Sequence, residues 1–352
     1  MLRPDKSVQK VLLSTTSRLV GEYVHEDLLV THAWPNFSVP KHGLRYQQSP
    51  ISRSAYIFAF DTPSDSELLE KTPVIQYSYY ADIICSYLSL LYGKRFDNHG
   101  LTEESGFFHL PSLSQFNELC DPNLPQNTHK PRIDLSVPLN LEEISRLNPL
   151  FFGSIDDRFL NTFRAACKFY SKALQVYEND AEIAYLNLIT AGEVLSNYFH
   201  YSREELILDD MKSLILEFNR LQPDSNKLIE AVTRRLLHIK RRFTKTIASL
   251  LDEDFFLRTE SEQYGSLSHK DIQKVISAAY DLRSKYVHSG IPFGSWIRSH
   301  DFNNEIQIGR PLVEDKDFGK ILAMAPTFIG LERIIRYCLL QFAKQNGAYI
   351  EP

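Results

Sequence analysis

Late in the chain stands the segment YDLRSKYVHSG, which brings Arg283, Ser284 and His288 close together. An imidazole titrates near neutrality and can take or give a proton at physiological pH. A guanidinium carries a fixed charge and a rigid fork of donors that matches a phosphate or carboxylate oxyanion. In combination these residue types can do acid–base chemistry beside a stabilised oxyanion. The spacing constrains how. Five residues of ideal helix subtend about 500°, so Arg283 and His288 point about 140° apart. Either the last turn loosens before Gly290 and Pro292, or a second copy of the helix meets the first across a two-fold axis. The plainer reading is that Arg and His close to a helix C-terminus only offset its dipole.

Two further sets of side chains could serve such a site. Glu193 interrupts the apolar run LITAGEVL and could orient Arg283 through a bidentate pair; as a solvated helix residue it would do nothing. Between Lys227 and Lys245 lie Arg234, Arg235, Lys240, Arg241 and Arg242, opposed only by Glu230. Arg234, His238, Arg241 and Lys245 recur at helical spacing and form one stripe. Such a stripe either tracks a nucleic-acid backbone or is a solvated helix face. His25, His32, His42, His99, His109 and His129 lack the spacing of metal ligands, so no metal is expected. Nor is there a G-x-S-x-G, P-loop or G-x-G-x-x-G pattern. Trp34, Trp296, Tyr77, Tyr79 and Tyr80 read as core, and Arg298 and His300 could edge a cleft.

These residues need elements to hold them. SRSAYIFAF, ending at Phe60, predicts a strand with Tyr56, Phe58 and Phe60 on one side. The run from Val74 to Tyr92 predicts a helix with Ile75, Tyr79, Ile83, Tyr87, Leu90 and Leu91 on its apolar face, closed by Gly93. FDNHG reads as a turn and SGFFHLPSL as a short strand. Pro122, Pro125, Pro131 and Pro138 mark an extended crossing segment or linker, which sets a domain boundary near residue 150. Beyond Asp156 the pattern is helical. Phe159, Phe163, Ala166, Phe169 or Tyr170, Ala173 and Tyr177 form one stripe. Asp180 caps a second helix. A third runs from about Ser225 to Leu251, with Val232, Leu236, Ile239, Phe243, Ile247 and Leu250 buried. A fourth starts at a capping box, Ser268 to Asp271, and carries the Arg283/His288 segment. The last follows Pro326. The expected fold is an α+β domain over residues 1–150 and an all-α bundle over 151–352.

The chain has 352 residues, with 39 Lys and Arg against 44 Asp and Glu, for a formal net charge of −5. No global basic field exists, so any nucleic-acid contact must be local. Four cysteines, none in a C-x-x-C pair, fit a reducing compartment. The N-terminal MLRPDKSVQKVLL has no signal-peptide core, and no segment is apolar enough for a membrane span. A cytoplasmic location is expected.

A bundle whose late helix ends in R-x4-H resembles the HEPN superfamily. AAYDLRSKYVHSG, preceded by the SKAL and AEIAYLNLITAGEVL helices, resembles its ApeA-like branch over residues 156–345. The resemblance implies a metal-independent, cofactor-free endoribonuclease acting as a homodimer, with both motif helices lining one cleft. His288 would be general acid or base, Arg283 the phosphate clamp and Ser284 a supporting polar group. RNA would lie along Arg234, His238, Arg241, Arg242, Lys245 and Lys285. The expected products are 2′,3′-cyclic phosphate and 5′-OH ends. The family's setting, toxin or anti-phage defence, implies that residues 1–150 sense a phage or small-molecule trigger. Two other readings stand beside it. One is an inactive HEPN scaffold for RNA binding or dimerisation; the other is ligand binding by the N-terminal half.

Overall fold

The computed structural model describes residues 6–33, 53–63, 77–114, 118, 120–206, 217, 239–259, 261, 265–298 and 303–351. Among these, one antiparallel sheet runs in the order β2-β3-β4-β1-β5-β6. Its strands are β1 (Lys6–Thr15), β2 (Tyr23–His25), β3 (Leu28–His32), β4 (Ser54–Pro63), β5 (Phe96–Glu104) and β6 (Phe107–Phe108). The described helices are α1 (Tyr77–Tyr92), α2 (Asn148–Phe152), α3 (Asp157–Val176), α4 (Ala181–Ser196), α5 (Arg203–Leu206), α6 (Ile239–Ser249), α7 (Glu253–Leu257), α8 (Ile272–Ser289), α9 (Lys316–Met324) and α10 (Phe328–Gln345). The chain is mixed α+β, with the sheet in the first third and most helices after it. No described helix is long and apolar enough to cross a membrane.

The strand expected from SRSAYIFAF is β4, and it buries Tyr56 and Phe58. Its neighbour β1 is the strand with no alternating signature. From Val11 to Thr15 every residue is buried, so both faces are covered and hydrophobicity does not alternate. The FDNHG segment is a correction: it opens β5 rather than forming a turn. Gly100, at φ +94°, sits where the pairing of β5 with β1 shifts register, so turn-forming residues mark a bulge within the strand. The expected SGFFHLPSL strand shrinks to Phe107 and Phe108, both exposed.

Helix α1 packs on β5 on one side and on α3 on the other. Its buried residues include Tyr77, Ala81, Ile84, Cys85, Leu88 and Leu91, whereas Tyr79 and Tyr80 are exposed. The single stripe expected through Tyr79 is therefore rotated and widened, because the helix is covered from two directions. Ile75 lies outside the described residues. Gly93 closes the helix with φ +59°, as its position predicted, and Arg132 passes so close that a Cβ there would collide with it.

Asp156 caps α3 by accepting from Phe159 N at 3.0 Å, and Asp180 caps α4 by accepting from Ile183 N at 2.9 Å. On α3 the buried stripe takes Tyr170 and leaves Phe169 half-buried. One apolar core runs from the sheet through α1 into α3, α4, α8 and α10. The change of texture near residue 150 is thus a change from strands to helices within a continuous core. All four cysteines are buried thiols.

The last helix carries charge through this core. Glu332, Arg333 and Arg336 on α10 are each at least nine-tenths buried. Glu332 accepts from both Arg132 Nη atoms, at 2.9 and 2.8 Å, and from the Tyr170 hydroxyl. Arg336 holds both oxygens of Asp134 at 2.8 Å and donates to the Leu90 and Leu91 carbonyls at the end of α1. Burial alone would raise the Asp134 carboxyl, but the Arg336 charge holds it below its usual range. Arg333 reaches Glu305, which is fully buried and also accepts from Leu267 N. Gly330 allows that approach, since a Cβ there would strike the Glu305 carbonyl. The proline-rich segment is therefore the crossing strap that docks Arg132 and Asp134 onto α10.

On the sheet, His99 Nδ1 lies 2.8 Å from the Ser112 carbonyl and Nε2 lies 2.7 Å from Ser14 Oγ. A carbonyl can only accept, so Nδ1 carries the proton and neutral Nε2 accepts from the serine. Burial holds His99 below its ordinary value, and His129 likewise.

Two outcomes follow from these buried groups. Glu332→Ala leaves the Arg132 charge buried without its partner, and should cost about 3–5 kcal/mol in a urea denaturation series. A loss under about 1 kcal/mol would show that water replaces the carboxylate. The histidines set a pH dependence. Near and below pH 6.5, the ordinary imidazole value, the unfolded chain binds protons that the folded chain refuses. Their stabilisation is full above that pH and is lost as pH falls toward the lowered folded values. The urea midpoint should drop across this window, and less in His99→Gln; an equal drop would remove His99 as a source.

Candidate active site at the end of helix α8

Helix α8 carries the Arg283/His288 segment and enters without the expected capping box. Asp271 is itself the cap residue, and its side chain makes no cap hydrogen bond but lies 3.6 Å from Lys274. Ile272, Val275, Ile276, Ala279 and Leu282 are buried, as the periodicity predicted. The exit is sharp. Gly290 adopts φ +63°, its N–H bonds to the Tyr286 carbonyl, and Ile291 N reaches back to the Lys285 carbonyl. Helical hydrogen bonding is thus kept to Ser289, and the last turn does not loosen. Within one chain Arg283 and His288 remain on different sides of the helix, separated by about 7.5 Å of axial rise.

Arg283 is three-quarters buried and its Nη2 lies 3.4 Å from Glu193 Oε2 on α4. Of the two readings of Glu193, the structure selects the one that pairs it with Arg283, through a single long contact rather than a bidentate fork. The guanidinium also lies over the Tyr280 ring, 5.7 Å from its centroid. Burial pushes the Tyr280 phenol up to about 12, with the Glu193 carboxylate adding to the rise and Arg283 opposing it. Glu193 can reach this place because Gly192 beside it has no side chain. A Cβ there would press on Phe243 of α6 and Ile335 of α10. Tyr280 stands three residues before Arg283, and the sequence did not reveal it as a partner of that residue.

His288 is exposed and makes no hydrogen bond or ion pair among the described residues. Ser284, half-buried, stands one turn before it on the same face. Val287 beside it is half exposed. The loop after the helix is fixed rather than loose. Phe293 N and Gly294 N both donate to Glu182 Oε1 in the first turn of α4, at 2.7 and 2.6 Å. Glu182 is an anchor the sequence did not reveal, since an acidic residue in a first turn is ordinary. Arg298 lies over the Tyr177 ring, and Trp296 is half-buried against the core; His300 and Trp34 lie outside the described residues.

The basic run is only partly described. Arg234 and His238, with Val232 and Leu236, lie outside the described residues. The remaining cations are tied to neighbours. Lys240 bonds Asp281 on α8 at 2.6 Å, and Arg241 donates to the Leu206 carbonyl at 2.7 Å. Arg242 donates to Asn197 Oδ1. Lys245 bonds Glu205 at 2.7 Å, holds that carboxyl down at about 2, and sits over the Tyr201 ring. These contacts pin α6 to α8 and to residues 197–206. Lys285 is half exposed on α8, away from this run. On the apolar side, Phe243, Ile247 and Leu250 are buried but Ile239 is exposed.

The structure thus brings Arg283, Glu193 and Tyr280 together and leaves His288 and Ser284 facing outward. Removing the carboxylate in Glu193→Ala should cost about 1–3 kcal/mol by urea denaturation, because Arg283 and Tyr280 lose a shared acceptor. Glu193→Gln, which keeps an acceptor oxygen, should cost less. Equal losses would mean that Glu193 acts through packing alone.

No protein-family model, curated protein or solved structure matches the chain.

Proposed function

We propose that the chain is a metal-independent endoribonuclease of the HEPN type, active as a homodimer, in toxin or anti-phage defence. The observation that carries this reading is the division of labour at the end of α8. A guanidinium is positioned by Glu193 and Tyr280, and an unengaged imidazole stands exposed near the helix end on a different side. Because α8 keeps its regular form to Ser289, one chain does not aim both groups at one phosphate. Two α8 helices meeting about a two-fold axis would set the Arg283 of each copy beside the His288 of the other.

In that cleft an imidazole takes the 2′-OH proton and an imidazolium gives a proton to the leaving 5′-oxygen. Positioned acid–base transfer of this kind contributes about 10²–10⁴-fold. Arg283 donates to the oxygens of the phosphorane as charge builds on them. Ser284 supplies a hydroxyl on the His288 face. The products are a 2′,3′-cyclic phosphate and a 5′-OH. The described part of the basic run supports RNA binding less directly, since Arg241, Arg242 and Lys245 are already engaged.

A second reading is favoured by the same ion pair. With Arg283 held against Glu193 and His288 in solvent, the bundle would serve as an inactive RNA-binding or dimerisation scaffold. The sheet-bearing half would then sense a ligand.

The two are separated by incubating the full chain with RNA in the presence of EDTA, beside His288→Ala and Arg283→Ala. The nuclease reading expects cyclic-phosphate ends from the native protein only, with each variant reduced by at least about 10²-fold while still folded and dimeric. Equal background cleavage by all three proteins would leave the scaffold reading standing.

A further inference from the structure

Helices α1 and α3 pack along each other, and between Tyr79–Tyr87 of the first and Asn161–Lys168 of the second lies a cavity of 220 Å³. It opens to solvent at Tyr79, Asp82, Asn161 and Lys168. Arg164 and Lys168 stand one turn apart on α3 and so project to the same side. Neither is paired with a carboxylate among the described residues. The Nε of Arg164 is buried with no hydrogen-bond partner among the described residues.

From the opposite wall comes Tyr87, which is 97% buried because only 3% of its surface is exposed. Its ring is fixed between Phe163 and Phe151, at centroid distances of 5.6 and 6.1 Å. Its hydroxyl lies beside the Arg164 side chain but makes no well-formed hydrogen bond among the described residues. Burial pushes the phenol well above its usual value, and Arg164 opposes that rise through its side-chain contact with the hydroxyl and through its charge. The phenol therefore keeps its proton and is a donor. Neither the Tyr87 hydroxyl nor the Arg164 Nε makes a well-formed hydrogen bond among the described residues, and a buried polar group left so carries a desolvation cost of about 1–3 kcal/mol. A group that accepts from both removes that cost. Among the described lining residues the one acid, Asp82, is exposed and already accepts from Asn98 at 2.8 Å, so the cations there are in excess by one.

We propose that this cavity binds the oxyanion group of a small molecule, phosphate or carboxylate, with Arg164 and Lys168 supplying charge and the Tyr87 hydroxyl a further donor. Its volume limits the occupant. Pockets that bury drug-sized ligands run to about 300–1,000 Å³, so 220 Å³ admits an anion with little attached, not a whole dinucleotide. Tyr79, exposed at the rim, offers a ring face to whatever the anion carries. Because α1 lies on the sheet and α3 on α4 and α10, the bound anion would join the two halves of the chain. The site shares no residue with the end of α8 and stands whether or not that site cleaves RNA.

Calorimetric titration of the full chain with inorganic phosphate and with acetate, at constant ionic strength set by chloride, tests this. One of the two should bind saturably with a stoichiometry of one, and the tighter one names the source of the oxyanion. Arg164→Gln should weaken it by about tenfold or more, the scale of a charge-assisted hydrogen bond. Tyr87→Phe, which removes only the hydroxyl, should weaken it about three- to tenfold. Lys168 is exposed, so Lys168→Gln keeps the test open if the Arg164 variant misfolds; it should weaken binding several-fold. Absence of saturable binding by both anions, or equal affinity in native protein and all folded variants, overturns the proposal.

Discussion

Three ionic groups buried along α10 hold the molecule in its arrangement. Glu332, Arg333 and Arg336 each sit in the core, and each has its partner on a segment distant in sequence. Such pairs add little net stability over an apolar core, because desolvation offsets most of the attraction. What they do is make alternative packings expensive. A shift of α10 by one turn would leave several charges buried and unpaired. Arg132 and Asp134 on the strap, Glu305 in the late loop and the carbonyls ending α1 must all converge on this helix together.

That constraint reaches the end of α8 indirectly. Helix α10 packs on α4, and Ile335 of α10 and Phe243 of α6 both close on Gly192. The neighbouring Glu193 is thereby set against Tyr280 and Arg283. The position of the guanidinium is thus decided by helix packing two layers away from it. His288 is outside this chain of constraints, beyond the last buried residue of α8, and its neighbours along that exposed turn are Val287 and Ser289. A guanidinium held against Glu193 and an exposed imidazole thus share one short helical segment.

The sheet-bearing half shares its apolar core with the helices. Helix α1 belongs equally to the sheet and to the helices, and one apolar core passes through it. Helix α1 is thus in direct contact with both β5 and α3. The cavity between these helices, lined by Tyr87 and Arg164, lies at that junction.

The amino-acid sequence by itself determined the helices with strong caps and clean stripes. Asp180 and Gly290 act locally, through a few backbone groups, so their effect is readable without the fold. The Arg283/Ser284/His288 segment was legible for the same reason, as was the candidate pairing of Glu193. Tertiary structure decided the rest. Strand β1 is covered on both faces and has no alternation to read, and FDNHG joins β5 because a neighbouring strand tolerates a bulge at Gly100. The widened face of α1, with Tyr79 outside, follows from burial on two sides. Whether Glu193 faced Arg283 or solvent, and whether Arg336 and Glu332 were surface charges or buried ones, depended on which segment arrived opposite them. Periodicity reports that a helix has a face; only the fold supplies what that face meets.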